Sequence, residues 1–172
     1  HDNPTVSVII PCFNGEVFLR ESVDSALGQS YAGKEVIVVD DGSTDGTPGI
    51  VARYGERVTY LRKDNGGQAT AFNAGIRACK GELVALLDGD DWWHPRKLAL
   101  VLAEFKRDPA LVAVGHAIYE VDQLAGKRYE VRPDRALILD LKSREKAVEL
   151  ANSMAYLGTS RLTARRAVLE SL

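Results

Sequence analysis

Residues 83–93 read LVALLDGDDWW. Five apolar residues in a row leave no polar face. The segment therefore reads as a short strand covered on both sides, the form strands take in a parallel sheet sandwiched by helices. The run ends in Asp88, Asp90 and Asp91, three carboxylates within four positions. Like charges this close are costly unless a cation relieves them. Mg²⁺ or Mn²⁺ suits the task, because these ions take one or two protein carboxylates and complete their shell with phosphate oxygens and water. Gly89 lets the backbone between the acids approach a ligand. Asp88 and Asp90 are the candidate metal ligands, while Asp91 suits a cap for the helix that follows. Trp92 and Trp93 fit either stacking on a sugar or packing.

On the N-terminal side, apolar runs at 6–10, 36–39 and 58–61 read as three further strands, the first ended by Pro11. Helix signals lie between them. Leu19, Val23, Ala26 and Leu27 make a stripe closed by Gly28, and Asp45 can cap a helix running to Tyr54 and Gly55. A Gly-rich entry then opens a helix over 69–79. On the C-terminal side, Pro95 suits the first turn of a helix whose apolar face is Leu98, Val101, Leu102 and Phe105. The order β-α-β-α-β-α-β-α predicts an α/β fold with a Rossmann-like, mostly parallel sheet flanked by helices on both faces. After Pro109 the pattern becomes a strand over 111–121, a turn at Ala125 and Gly126, a strand over 128–131, and helix signals at 143–151 and 164–169. This reads as a short mixed α/β C-terminal addition. Residues 5–110 form the expected first unit and 111–172 the start of an acceptor-side one.

Ligands of an open parallel sheet sit beyond the carboxyl ends of its strands. All four strand ends here carry polar, acidic or glycine residues: Pro11 to Gly15, Asp40 to Gly46, Lys63 to Gln68, and Asp88 to Trp93. The second cluster, DGSTDG from Asp41, has the opening of a calcium loop, but Ala52 stands at the twelfth position where an EF-hand needs a bidentate Glu. Asp41 can instead accept hydrogen bonds from a nucleobase or ribose, or can belong to a capping turn as Asp45 does. The third cluster, Asn65-Gly66-Gly67-Gln68, can offer backbone N–H groups to a phosphate or hydroxyl, though it is neither GxGxxG nor a P-loop. His94 and His116 have no partner at ligand spacing and read as surface or packing residues.

Composition narrows the class. The chain has 172 residues, 45% of them hydrophobic and 27% charged, with a net charge of -2. That is the balance of a globular protein with no general attraction to nucleic acid or anionic lipid. Cys12 and Cys79 lack metal spacing and read as reduced core thiols of a cytoplasmic protein. No apolar run approaches the roughly 18 residues of a transmembrane segment. Arg161, Arg165 and Arg166 read as a solvated helix face.

Together, VSVIIPCFNGEVFLRESVDSALGQSY, EVIVVDDGSTDGT, NGGQATAFNAGIRACKGE and LVALLDGDDWW resemble the family 2 glycosyltransferases of the GT-A fold, in order and spacing, over residues 5–110. The resemblance implies transfer of a sugar from a nucleoside-diphosphate donor, usually a UDP-sugar, with inversion and with Mn²⁺ or Mg²⁺ as cofactor. It implies nucleotide contacts from Pro11, Phe13, Asn14 and Asp41, and a pocket wall from Asn65, Gly67 and Gln68. Asp88 is placed on ribose and metal, and Asp90 on the metal-diphosphate. Many members carry Arg where this chain has Phe72. The acceptor is a saccharide, a lipid-linked group or a protein. The family's general base often sits in a Glu-Asp pair beyond a segment like 159–169, and no such pair follows Asp140. Glu120 and Asp122 are acids that nothing in the sequence places near an acceptor. The chain is therefore expected to be a piece that binds donor but lacks its base, from a protein attached at the inner membrane face through other regions. Three rivals compete. An aspartyl phosphatase carries its acid on the first strand, and a nucleotidyltransferase needs a basic loop after it. A non-catalytic binding module would keep the fold alone.

Overall fold

The computed structural model of the chain describes residues 5–116, 118–122, 127–131 and 159–171. The helix expected at 143–151 and the turn at Ala125 and Gly126 lie outside them. Strands β1 (Val6–Cys12), β2 (Lys34–Asp40), β3 (Thr59–Arg62) and β4 (Leu83–Leu86) alternate with helices α1 (Leu19–Leu27), α2 (Thr47–Ala52) and α3 (Gln68–Ala78), and α4 (Lys97–Arg107) follows. Two short strands, β5 (Ala113–Val114) and β8 (Thr163–Arg165), complete a sheet of order β3-β2-β1-β4-β8-β5. A separate antiparallel hairpin pairs β6 (Ile118–Asp122) with β7 (Lys127–Val131), and helix α5 (Arg166–Leu169) closes the described chain.

Alternation along the strands divides the core in two. Val6, Val8 and Ile10 of β1 and Val36 and Val38 of β2 face α1, α2 and α4, where Leu19, Val23, Val51, Leu98 and Phe105 cover them. Ile9, Ile37 and Val39 face the other way, against Ala71 and Phe72 of α3. Phe72 is thus a core residue. Both layers are apolar because both faces of the sheet are buried.

Four details depart from the sequence reading. Pro11 lies within β1 and does not end it. The Cys12 carbonyl accepts from Asp41 N on the β2 side, while the Ile9 carbonyl accepts from Leu87 N on the β4 side. Pro11 therefore faces β4 beyond the last paired residue, Ile9, where a missing N–H costs nothing. The expected strand over 111–121 is split between β5 and β6, which belong to different sheets. The expected helix over 164–169 starts as β8, antiparallel to β4 and β5, and turns helical only at Arg166. The basic cluster is not a solvated face. Arg161 is buried, Arg165 donates to the carbonyls of Leu111 and Pro109, and Arg166 donates to that of Cys79. Among the described residues, no helix is long and apolar enough to cross a membrane.

Candidate functional site

Strands β1 and β4 are neighbours in the sheet, and their carboxyl ends lie side by side. A cavity of about 520 Å³ opens there. Pro11, Phe13 and Asn14 line it from β1, Asp41 from β2, Asn65, Gly67 and Gln68 from the entry to α3, and Asp88 and Asp90 from β4. The nine residues singled out from sequence meet at this one crevice.

The first two loops are zipped together. Asn14 N donates to Ser43 Oγ at 2.9 Å, Gly15 N to Thr47 Oγ1 at 2.9 Å, and Glu16 N to Asp45 Oδ2 at 3.0 Å. In return, Thr44 N donates to Asn14 Oδ1 and Gly46 N to Glu16 Oε2, both at 2.8 Å. Asn14 holds φ at 50°, the left-handed region that Asn tolerates best after glycine. Asp45 also accepts from Thr47 N at 3.0 Å, but Gly46 is the cap position of α2, so Asp45 braces the turn before the helix and does not cap it as expected. Beneath this zipper Cys12 is buried, and burial together with the charges of Asp40, Asp45 and Asp41 pushes its thiol up to about 12. It is a packing residue at neutral pH.

Asp41 is buried and fully engaged. Its carboxylate pairs with the Lys63 ammonium and accepts from Gly66 N at 3.0 Å and Gly67 N at 2.7 Å. Burial alone would raise its carboxyl. The Lys63 hydrogen bond, the two glycine N–H groups and the Lys63 charge outweigh burial and hold it below the usual carboxylate range. The expectation that Gly66 and Gly67 present their N–H groups to a phosphate is corrected here, since both are spent on Asp41. Asp41 thereby pins the entry of α3, and Gly67 reaches its φ of 87° only because it has no side chain.

The β4 end is the acidic side of the cavity. Asp88 accepts from Gln68 Nε2 at 2.7 Å and from the Thr159 hydroxyl, and its own N–H donates to Ser160 Oγ at 2.8 Å. Burial, with Asp91 and Asp90 adding repulsion, pushes the Asp88 carboxyl above its usual range against the pull of the Thr159 and Ser160 hydroxyls. Asp90 is exposed at the mouth, and among the described residues no hydrogen bond engages its carboxylate. Asp91 does not cap a helix, because α4 begins only at Lys97. Its N–H instead closes a turn onto the Asp88 carbonyl at 3.1 Å, and its own carbonyl accepts from Ser22 Oγ. Gly89 makes its close approach to protein: a Cβ there would lie 2.8 Å from the Pro11 carbonyl oxygen. The tryptophans separate. Trp93 is buried and donates through Nε1 to the Ser160 carbonyl at 2.9 Å, while Trp92 is half exposed. His94 is a surface residue whose Nδ1 accepts from Arg96 N at 3.2 Å.

Lys63, Thr159 and Ser160 were not singled out from sequence. Lys63 stands 22 residues from Asp41, and Thr159 stands 71 from Asp88. No local pattern marks either pair. Among the described residues, no three His, Cys, Asp or Glu side chains form a metal cage of their own. The donor set is one free carboxylate beside one tethered carboxylate. That suits a hard divalent ion that keeps most of its shell for phosphate oxygens and water.

Comparison with known proteins agrees with this architecture. The sequence profile described as glycosyl transferase family 2 matches residues 7–172. An uncharacterized glycosyltransferase of Rickettsia typhi is 40% identical over 136 residues, covering 77% of this chain and 42% of its own length. The chain thus spans less than half of that relative. The chondroitin synthase of Pasteurella multocida is 40% identical over 117 residues, 66% of this chain and 12% of that one. Among solved structures, a mannosyltransferase from Pyrobaculum calidifontis in complex with GDP-Man and Mn²⁺ superposes with a TM-score of 0.61 at 34% identity, covering 66% of this chain and 35% of that one. S. aureus TarS shares the fold across 97% of this chain and 29% of its own, with a TM-score of 0.69 at 24% identity. The chain belongs to glycosyl transferase family 2.

Proposed function

We propose that this chain binds the donor of an inverting, metal-assisted glycosyltransferase, taking a nucleoside-diphosphate sugar such as a UDP-sugar in the cavity between β1 and β4. Residues 5–110 would hold the donor, and 111–172 would begin the acceptor side, where a saccharide, lipid-linked or protein acceptor enters. The observation that carries the reading is the charge of the crevice: Asp88 and Asp90 both line it with no cationic partner among the described residues, whereas Lys63 already pairs with Asp41. A diphosphate would be repelled from such a wall unless a cation came with it. Asp90, with Asp88 beside it, would hold Mn²⁺ or Mg²⁺, which when bound neutralises the charge growing on the leaving diphosphate. The Pyrobaculum neighbour holds GDP-Man together with Mn²⁺, which supports the same pairing here. The chain's own residues supply position. The zipper of Asn14 with Ser43 and Gly15 with Thr47, and the Asp41–Gly67 clamp, fix the nucleotide end, with Pro11, Phe13 and Asn65 as its walls. Gln68 and Asp88 fix the ribose and diphosphate end.

Calorimetric titration of UDP and of GDP, each with and without Mn²⁺, tests the reading. Binding of at least one nucleotide should strengthen at least about tenfold when Mn²⁺ is present. Equal affinity with and without metal for both would sink it. A second expectation concerns Gly89→Ala. The new methyl meets the Pro11 carbonyl at 2.8 Å and Cys12 Cβ at 3.3 Å, both on a buried strand that cannot yield. The turn carrying Asp88 and Asp90 must move outward, and metal-dependent affinity should fall at least about tenfold in the same titration.

A further inference from the structure

The segment Thr159 to Arg165 docks along β4. Arg165, Ala164 and Thr163 pair with Leu83, Val84 and Ala85, and Leu86 N donates to the Leu162 carbonyl at 3.0 Å. Its first two residues then seize one aspartate at two points. The Thr159 hydroxyl lies 2.5 Å from both carboxylate oxygens of Asp88, and Ser160 Oγ accepts the Asp88 N–H at 2.8 Å. The Ser160 carbonyl accepts from Trp93 Nε1 at 2.9 Å, so both ends of the acidic turn rest on this segment. Asp88 needs such a restraint. It is partly desolvated next to Asp90 and Asp91, and its carboxylate also accepts from Gln68 Nε2 at 2.7 Å.

A purely structural account of Thr159, as the opening residue of a 3-10 turn, asks nothing of its hydroxyl. Yet the hydroxyl reaches across 71 residues of sequence to a carboxylate, while the neighbouring side chain grips the same residue's backbone. We propose that Thr159 is a positioning residue of the donor site, its hydroxyl fixing the Asp88 carboxylate so that the acceptor-side half of the chain governs how well the donor half binds nucleotide and metal. The proposal rests on the donor reading given above for what the site binds, but not for the geometry it predicts.

The test uses the full chain. Thr159→Val keeps the shape and removes the hydroxyl, whereas Thr159→Ser keeps the hydroxyl. In the presence of Mn²⁺, Thr159→Val should bind UDP or GDP, whichever the parent binds, about tenfold more weakly, with little change in thermal stability. Thr159→Ser should stay within about twofold of the parent. A crystal structure of each variant supplies a second readout that needs no ligand. The Asp88 carboxylate should turn away from its place in Thr159→Val and keep it in Thr159→Ser. Should the valine variant fail to fold, Thr159→Ala serves in both measurements. If the parent binds neither nucleotide, the donor reading falls and the crystal structures alone decide. An Asp88 side chain unmoved by loss of the hydroxyl, or parental affinity in Thr159→Val, overturns the proposal.

Discussion

Asp90→Ala is expected to erase the metal-dependent part of nucleotide binding while leaving the fold intact. Three carboxylates line the cavity, but they are not equivalent. Asp41 is saturated by Lys63, Gly66 and Gly67, and Asp88 is tethered by Gln68 and Thr159. Asp90 alone is exposed and, among the described residues, without a hydrogen bond to its carboxylate. Its removal should therefore change stability by no more than about 0.5 kcal/mol, as at an ordinary surface position. With Mn²⁺ present, affinity for nucleotide should drop about a hundredfold or more, because the ion loses its one unencumbered protein ligand. Without metal the sign reverses. The variant should bind slightly more tightly than the parent, since one negative charge has gone from beside the diphosphate. Calorimetry under both conditions, with thermal unfolding alongside, measures all three quantities. An Asp90→Ala chain that still gains affinity from Mn²⁺ as the parent does would remove Asp90 from the metal site.

The parts of this site that sequence made legible are those written in local pattern. Apolar runs, broken in β1 only by Ser7, marked β1, β2 and β4 because both faces of the sheet are covered, and the acids at the ends of β2 and β4 were visible as breaks in those runs. The parts that stayed hidden depend on distant partners. Residues 163–165 form a strand because β4 offers a free edge, and three residues are too few to carry a period of two. Gly66 and Gly67 look like ligand-binding glycines, yet a backbone N–H carries no label saying whether protein or ligand will claim it, and Asp41 does. Trp92 and Trp93 are adjacent and chemically identical. Only their distant partners separate them, since Trp93 packs into the core and finds the Ser160 carbonyl for its Nε1. The arginines near the C-terminus misled for the same reason, since Arg165 and Arg166 find backbone carbonyls that no spacing rule reveals.

Stability should rise with pH just above neutrality, and Lys97 is the reason. Its side chain is buried, with its ammonium 3.7 Å from the Trp93 ring centroid and 2.9 Å from Thr163 Oγ1. Among the described residues no carboxylate pairs with it, and burial pushes it down from 10.5 to about 7. Between those values the unfolded chain holds a proton that the folded chain has released, so raising the pH favours folding. From pH 7 to 8.5 the gain should be about 1.5 kcal/mol. The useful window closes there. Cys12, Tyr54 and Tyr60 are acids whose protons burial retains in the folded state, so their contribution is lost as pH climbs past their ordinary values of 9 and 10. Lys97→Met keeps the apolar stem and discards the charge. It should be at least as stable as the parent at pH 7, by up to about 2 kcal/mol, and flat across the window. Urea unfolding at several pH values for both proteins measures this. The same slope in both would mean that another group titrates there. A flat parent would mean that the Trp93 face, which favours the ammonium, holds Lys97 charged in the core, and the pair would then be a cation–π contact strong enough to offset burial.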